Sequence, residues 1–174
     1  MDRIEVSTGT GWEDHVGYSR AVRVGNQIHV AGTTAVDENG EPVAPGQPYE
    51  QANHAFALVE AAIRDAGGEP SDVVSTRMYV TDVEDWEDVG RAHGEAFGDA
   101  RPAATMVEVS ALIDPDLVVE VEATAILETD GENGTDGESG SDAESDSDGE
   151  SDSDGESDSD GESSSAAESS SDAQ

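Results

Sequence analysis

Three carboxylates at strand positions, Glu108, Glu120 and Glu122, are the residues of this sequence best suited to moving protons. They fall in two β-branched runs, residues 103–110 and 117–126, and each run alternates residue by residue. A strand sends successive side chains to opposite faces. Val119, Val121, Ala123 and Ala125 therefore share one face, while Glu120, Glu122 and Thr124 share the other. In the first run Val107 and Val109 oppose Met106, Glu108 and Ser110. Paired with their apolar faces aligned, the two strands would crowd the carboxylates on one surface. Like charges held together raise a carboxyl pKa, which suits acid–base work. Glu120 has a second reading, as the partner of Arg77 in an interface ion pair. The four histidines, His15, His29, His54 and His93, lack paired metal-ligand spacing, and the chain has no Cys. No metal site and no thiolate nucleophile is expected.

The elements that must position these groups are legible in order. Residues 1–19 read as a Gly-rich leader with room for a short strand. Residues 20–24 and 27–31 flank Gly25-Asn26, a two-residue hairpin turn. Gly32 follows at once, and residues 37–47 form a loop with Asn39-Gly40 and two prolines. Residues 49–66 carry a helical stripe of Ala55, Leu58, Val59, Ala62, Ile63 and Ala66, stopped by Gly67-Gly68. Residues 73–81 read as a strand with Val74, Thr76, Met78 and Val80 on one face. Asp82 or Asp85 caps a second helix whose stripe is Trp86, Val89, His93, Ala96 and Phe97. His93, on that stripe, reads as a core or interface histidine. The order β-β-α-β-α-β-β, with helices apolar on one side only, gives a two-layer α+β domain: a mixed sheet with two helices on one face. The other sheet face carries Arg77, Glu108, Glu120 and Glu122.

The stretch Arg101-Pro-Ala-Ala-Thr-Met-Val-Glu-Val109, followed by Leu112, a turn at 113–116 and Val119-Glu-Val-Glu-Ala123, resembles a family signature. The family is that of the reactive intermediate/imine deaminases, Rid, also called YjgF/YER057c/UK114. The resemblance covers residues from about 14 to 127. It implies a chorismate-mutase-like fold, a homotrimer with clefts between subunits, and hydrolysis of imines or enamines of 2-keto acids to the keto acid and ammonia. It implies neither metal nor organic cofactor, and a small-molecule substrate. On this resemblance Glu120 matches the catalytic glutamate that positions water and transfers protons. Gly32 matches a glycine whose backbone lines the cleft, Tyr18 an aromatic at its mouth, and Thr105 the serine beside the substrate-binding arginine. That arginine falls on Ala104. An Arg fork holds a carboxylate by two charge-assisted bonds, so this departure bears directly on the substrate. Arg101, three residues earlier and next to Pro102, is the nearest replacement in the sequence. Each site residue also has a plain structural role: Gly32 for backbone geometry, Tyr18 for packing the N-terminal arm, Thr105 for strand hydrogen bonding. The alternatives to imine hydrolysis are a trimer that binds a small metabolite without turnover, and a ribonuclease.

Composition narrows the setting. The 174 residues carry 42 acids and 7 bases, a net charge of −35. Residues 128–174 hold 18 of the acids and no base, which leaves a net of −17 on residues 1–127. Every base is Arg. Such a surface resembles that of salt-in halophiles, where a Debye length of roughly 3 Å at molar salt removes self-repulsion. It disfavours nucleic acid, since phosphate binding needs clustered cations. From 128 onward Ser-Asp-Ser-Asp-Gly-Glu repeats three times, which predicts a disordered, solvating tail beside a folded domain at 1–127. The repeat lacks the turn and terminal Glu of a calcium loop, and Asn133-Gly-Thr reads as a chance sequon. No apolar run approaches the roughly 20 residues of a membrane span. With no charged and apolar leader at the N-terminus, a cytoplasmic protein is expected.

Overall fold

The Gly25-Asn26 turn anchors one end of a six-stranded sheet. The structure is a computed structural model that describes residues 2–9 and 11–128. The acidic repeats and Asn133 lie outside the described residues. Gly25 adopts φ +62°, which the turn requires and which only glycine adopts freely. It joins β2 (Ala21–Val24) to β3 (Gln27–Thr34). The remaining strands are β1 (Arg3–Val6), β4 (Val73–Val80), β5 (Ala103–Glu108) and β6 (Val119–Ile126). Their order is β1-β2-β3-β6-β4-β5. All neighbours are antiparallel except β4 and β5, which run parallel.

Two long helices, α2 (Pro48–Asp65) and α3 (Trp86–Phe97), pack beside each other, and α2 lies against β3 and β6. Pro48 starts α2, where its fixed φ fits the first turn and its missing N–H costs nothing. A single 3-10 turn at Val83–Asp85 precedes α3, and the Asp82 carboxylate accepts from the Glu84 N–H at 2.9 Å. The core between layers holds Phe56, Val59 and Ile63 of α2, Val89 and Phe97 of α3, and Ile28, Val80, Val119 and Val121 of the sheet. Each such side chain contributes about 1.5–3 kcal/mol by leaving water. The two-layer α+β architecture is the one the sequence predicts. The leader holds the short strand β1 and adds a one-and-a-half-turn helix, α1 (Gly11–Val16), that its Gly-rich pattern hid.

Four face assignments change. A register shift between Val73 and Ser75 buries Val73 and turns Val74 outward, 42% exposed. An irregularity of one residue inverts the alternation on its far side. Trp86, placed on the helical stripe, is 57% exposed, and Ala92 takes a buried place instead. On β5, Met106 packs against the core while Val107 is 42% exposed. The reason is pairing: β5 adds in parallel to β4 rather than to β6, and Met106 falls opposite the buried Met78. Glu108 falls opposite the buried Val80 by the same register, on the helix side of the sheet. There its carboxylate accepts from the Val83 N–H at 3.1 Å. It does not share a face with Glu120 and Glu122.

Candidate functional site

Glu120 sits near the start of β6 between two strands, opposite Thr34 of β3 and Tyr79 of β4. Its neighbours Val119 and Val121 are fully buried against the helices, so the pleat sends Glu120 to the open face of the sheet. The start of β6 is held by Gln51 of α2, which is fully buried. Gln51 donates to the Asp116 carbonyl at 2.8 Å and accepts from the Val118 N–H at 2.8 Å. A polar side chain in the core thus fixes the strand end that carries the glutamate.

Across the strand pair, β3 bends. The register between β3 and β6 shifts between Val30 and Thr33, so Ala31 and Gly32 together stand against the single residue Glu122, a bulge of one extra residue in β3. The Glu120 carboxyl group lies directly over Gly32. A Cβ at that position would stand 3.1 Å from Glu120 Cδ, with Oε1 well inside contact distance. Gly32 is needed here for close approach of a side chain.

Arg20 completes the cluster. It immediately precedes Ala21, which is fully buried in β2, so it starts on the open side. Its Nη1 donates to the Gly32 carbonyl at 3.0 Å and to Thr33 Oγ1 at 2.9 Å. Its Nη2 lies 3.5 Å from the Tyr18 hydroxyl. Tyr18, Arg20, Gly32 and Glu120 therefore form one site, and three of them are residues singled out in the sequence. Arg20 was not, because it stands in a β-branched hairpin that reads as scaffold. Its position two residues after Tyr18 was the available signal.

The electrostatics suit proton transfer. Burial pushes the Glu120 carboxyl above the ordinary range, Glu122 adds to the shift by like-charge repulsion, and Arg20 partly opposes it. Among the described residues no side chain donates a hydrogen bond to the Glu120 carboxylate, and Arg77 pairs with Glu122 at 2.8 Å instead. The ion-pair reading of Glu120 with Arg77 is thereby replaced by an Arg77–Glu122 pair that Tyr79 joins through its hydroxyl at 3.2 Å. A shallow depression lined by His29, Ser75, Arg77, Glu122 and Thr124 continues along the same face. His93 lies elsewhere: its Nε2 is 2.9 Å from Thr76 Oγ1 and its ring packs edge-on against Phe56, as a core histidine. Among the described residues no group of His, Asp and Glu converges as a metal site.

Arg101, Ala104 and Thr105 are not at this site within one chain. Glu120 lies opposite Tyr79, and Tyr79 lies opposite Val107 on the edge strand β5. With strands about 4.8 Å apart and a rise of about 3.3 Å per residue, Thr105 and Ala104 lie roughly 12–14 Å from Glu120, and Arg101 farther still. Ala104 and Thr105 are exposed on β5. Arg101 adopts φ +49°, a left-handed conformation, and its N–H caps the Phe97 carbonyl at the end of α3. Each chain thus carries two separate sets of the residues singled out, one around Glu120 and one at the sheet edge.

Comparison with known proteins gives this arrangement a context. The sequence pattern of the endoribonuclease L-PSP family matches residues 12–127. An uncharacterised protein of Streptomyces coelicolor is 39% identical over 121 residues, covering 69% of this chain and 89% of its own length. A 3-aminoacrylate deaminase of Acinetobacter baylyi is 29% identical, with 62% and 85% covered. A 2-iminobutanoate/2-iminopropanoate deaminase of Dermatophagoides farinae is 27% identical, with 64% and 86% covered. Among solved structures, a YjgF/YER057c/UK114 family member from Mycobacterium tuberculosis superposes with a TM-score of 0.66 at 45% identity, covering 72% of this chain and all of its own.

Proposed function

The chain belongs to the endoribonuclease L-PSP family, the YjgF/YER057c/UK114 or Rid proteins, and on that premise we propose that it is a hydrolase that deaminates reactive imines and enamines. The observation that carries the reading is the Glu120 carboxyl group, half-buried against Gly32 beside Arg20, pushed up in pKa by that burial, and without a hydrogen-bond donor among the described residues. Water held by the Glu120 carboxylate gives its proton to that carboxylate as its oxygen bonds to the imine carbon. The imine nitrogen takes up a proton from solvent, and a carbinolamine results. Glu120 then returns its proton to nitrogen as the C–N bond breaks and the hydroxyl proton passes to solvent, releasing ammonia and the carbonyl compound. An enamine enters the same route after protonation at carbon. A carboxyl pKa above the ordinary range suits both halves of this cycle.

The separation of Glu120 from the Ala104–Thr105 edge within one chain supports a cleft built between subunits, as in a homotrimer. The two halves would then come from neighbouring copies. A ribonuclease reading is not favoured, because the seven arginines are the only cations and most are already paired. The test is ammonia release from 2-iminobutanoate, 2-iminopropanoate and 3-aminoacrylate, each generated enzymatically in molar potassium chloride, with the protein sized in the same buffer. Accelerated decay of at least one compound by a particle three times the mass of the 18.0 kDa chain supports the proposal. Binding of these compounds' products without any acceleration would favour a metabolite-binding trimer.

A further inference from the structure

The loss of an arginine at position 104 leaves open which cation, if any, receives the substrate's carboxylate. The chain has seven candidates and no lysine. Arg3, Arg64, Arg77 and Arg91 are each in an ion pair with a nearby carboxylate. Arg23 donates to the Gly25 and Ala66 carbonyls. Arg101 belongs to the loop before the edge strand, beyond Ala103, which lies opposite Ser75 at the far end of β4 from Tyr79. Arg20 alone stands beside Glu120.

Its hydrogen bonds also leave the right part of it free. A guanidinium has five N–H groups, and its side-on edge pairs Nε–H with one Nη2–H. Both donors of Nη1 are committed, to the Gly32 carbonyl and Thr33 Oγ1. Thr33 is itself buried, 2% exposed, and donates to the Ala31 carbonyl, so the anchor for Nη1 is rigid. Nη2 makes only a long contact, 3.5 Å, to the Tyr18 hydroxyl, and the Tyr18 ring lies 5.9 Å from the guanidinium carbon. Among the described residues nothing accepts from Nε, and Arg20 forms no ion pair, with Glu120 or with any other carboxylate. A cation in a chain of such acidity that is held in place by neutral oxygens, with its bidentate edge unused, is arranged to receive an external anion.

We propose that Arg20 is the specificity-determining residue of this site, binding the substrate's carboxylate through its Nε/Nη2 edge in place of the arginine missing at Ala104. This rests on the hydrolase reading for the position of the reacting carbon, but it makes a separate claim: the ligand is an anion, a 2-imino acid or amino-acrylate rather than a neutral imine. It also places the carboxylate and the reacting carbon on the same half of the cleft, both contributed by one chain.

The experiment compares binding of 2-oxobutanoate, a reaction product, with butanone, its neutral analogue, by ligand-observed NMR in molar potassium chloride. It uses wild type, Arg20→Gln, Arg20→Lys and Arg101→Gln, each checked for native amide dispersion. Two charge-assisted bonds predict a loss of roughly 100-fold or more in 2-oxobutanoate affinity in Arg20→Gln. Arg20→Lys should recover part of it, since charge remains but the fork does not. Butanone binding should change little in any variant, and Arg101→Gln should match wild type. A merely structural Arg20 would weaken both ligands alike, and that outcome overturns the proposal. So does a wild type that shows no preference for 2-oxobutanoate, or a loss confined to Arg101→Gln. Turnover is not needed for these readings. A wild type that prefers 2-oxobutanoate through Arg20 yet hydrolyses no imine would sink the hydrolase reading alone, whereas hydrolysis of neutral imines without that preference would sink only the role of Arg20.

Discussion

Adding one methyl group at Gly32 should disable the Glu120 site and leave the fold standing. The Cβ of Gly32→Ala would lie 3.1 Å from Glu120 Cδ and 3.6 Å from Cγ, with Oε1 closer than either. Carbon atoms pack comfortably at about 3.5–4.0 Å. The carboxyl group must therefore withdraw by roughly half an ångström at Cδ and by more at its oxygen. Gly32 is not among the residues with positive φ, so alanine meets no backbone strain there. The yielding atoms are the far end of a side chain, and an off-rotamer glutamate costs about 0.5–1.5 kcal/mol. Unfolding in denaturant should shift by no more than that. The catalytic consequence is larger, because a misplacement near 1 Å costs about 100-fold in rate. A second readout needs no substrate: the Glu120 carboxyl, titrated by carbon-13 NMR in molar salt, should move down toward the ordinary range as it turns into water. Its burial, the main cause of the raised pKa, is relieved. A Gly32→Ala protein with an unchanged Glu120 titration and unchanged turnover would refute the claim that this glycine exists for close approach of the carboxylate.

Two further outcomes follow from the framework around the site. Gln51→Leu removes the partners of the Val118 N–H and Asp116 carbonyl; it should cost about 1–3 kcal/mol in urea unfolding and loosen the start of β6. His93 is held below the ordinary imidazole pKa by burial. The unfolded chain therefore takes up that proton first, so stability is full above an unfolded value of about 6.5. It falls as pH drops through that value toward the lower folded one. His93→Gln should flatten this part of a melting-temperature profile, and an unchanged slope would show that other groups cause it.

The architecture was legible wherever local chemistry and packing agreed. Gly25-Asn26 set the hairpin, the stripe through Ala55, Val59 and Ile63 set α2, and alternation on β6 put Glu120 and Glu122 together on the open face. Alternation failed where long-range pairing decides the outcome. Glu108 and Val107 were assigned as if β5 paired with β6, and nothing local in residues 103–110 tells a strand which neighbour it will have. Val74 was lost to a register shift that depends on β6. At the site, Gly32 and Tyr18 came from resemblance, and the structure supplies the physical reason they stand with Glu120: a bulge in β3 and an arginine that ties both together. Arg20 escaped because a single charged residue at a strand end carries no pattern of its own. Its role emerges only when its hydrogen bonds are counted against the carbonyls of a neighbouring strand.

The most direct test of the central claim is ammonia release from enzymatically generated 2-iminobutanoate by wild type and Glu120→Gln in molar potassium chloride, followed from acidic to neutral pH. General acid–base catalysis by this carboxyl predicts turnover by wild type and a loss of roughly 100- to 10,000-fold in the variant. It also predicts a wild-type rate that rises with pH through a Glu120 pKa above the ordinary carboxyl range. Equal turnover by the two proteins, with the same pH dependence, would contradict the account.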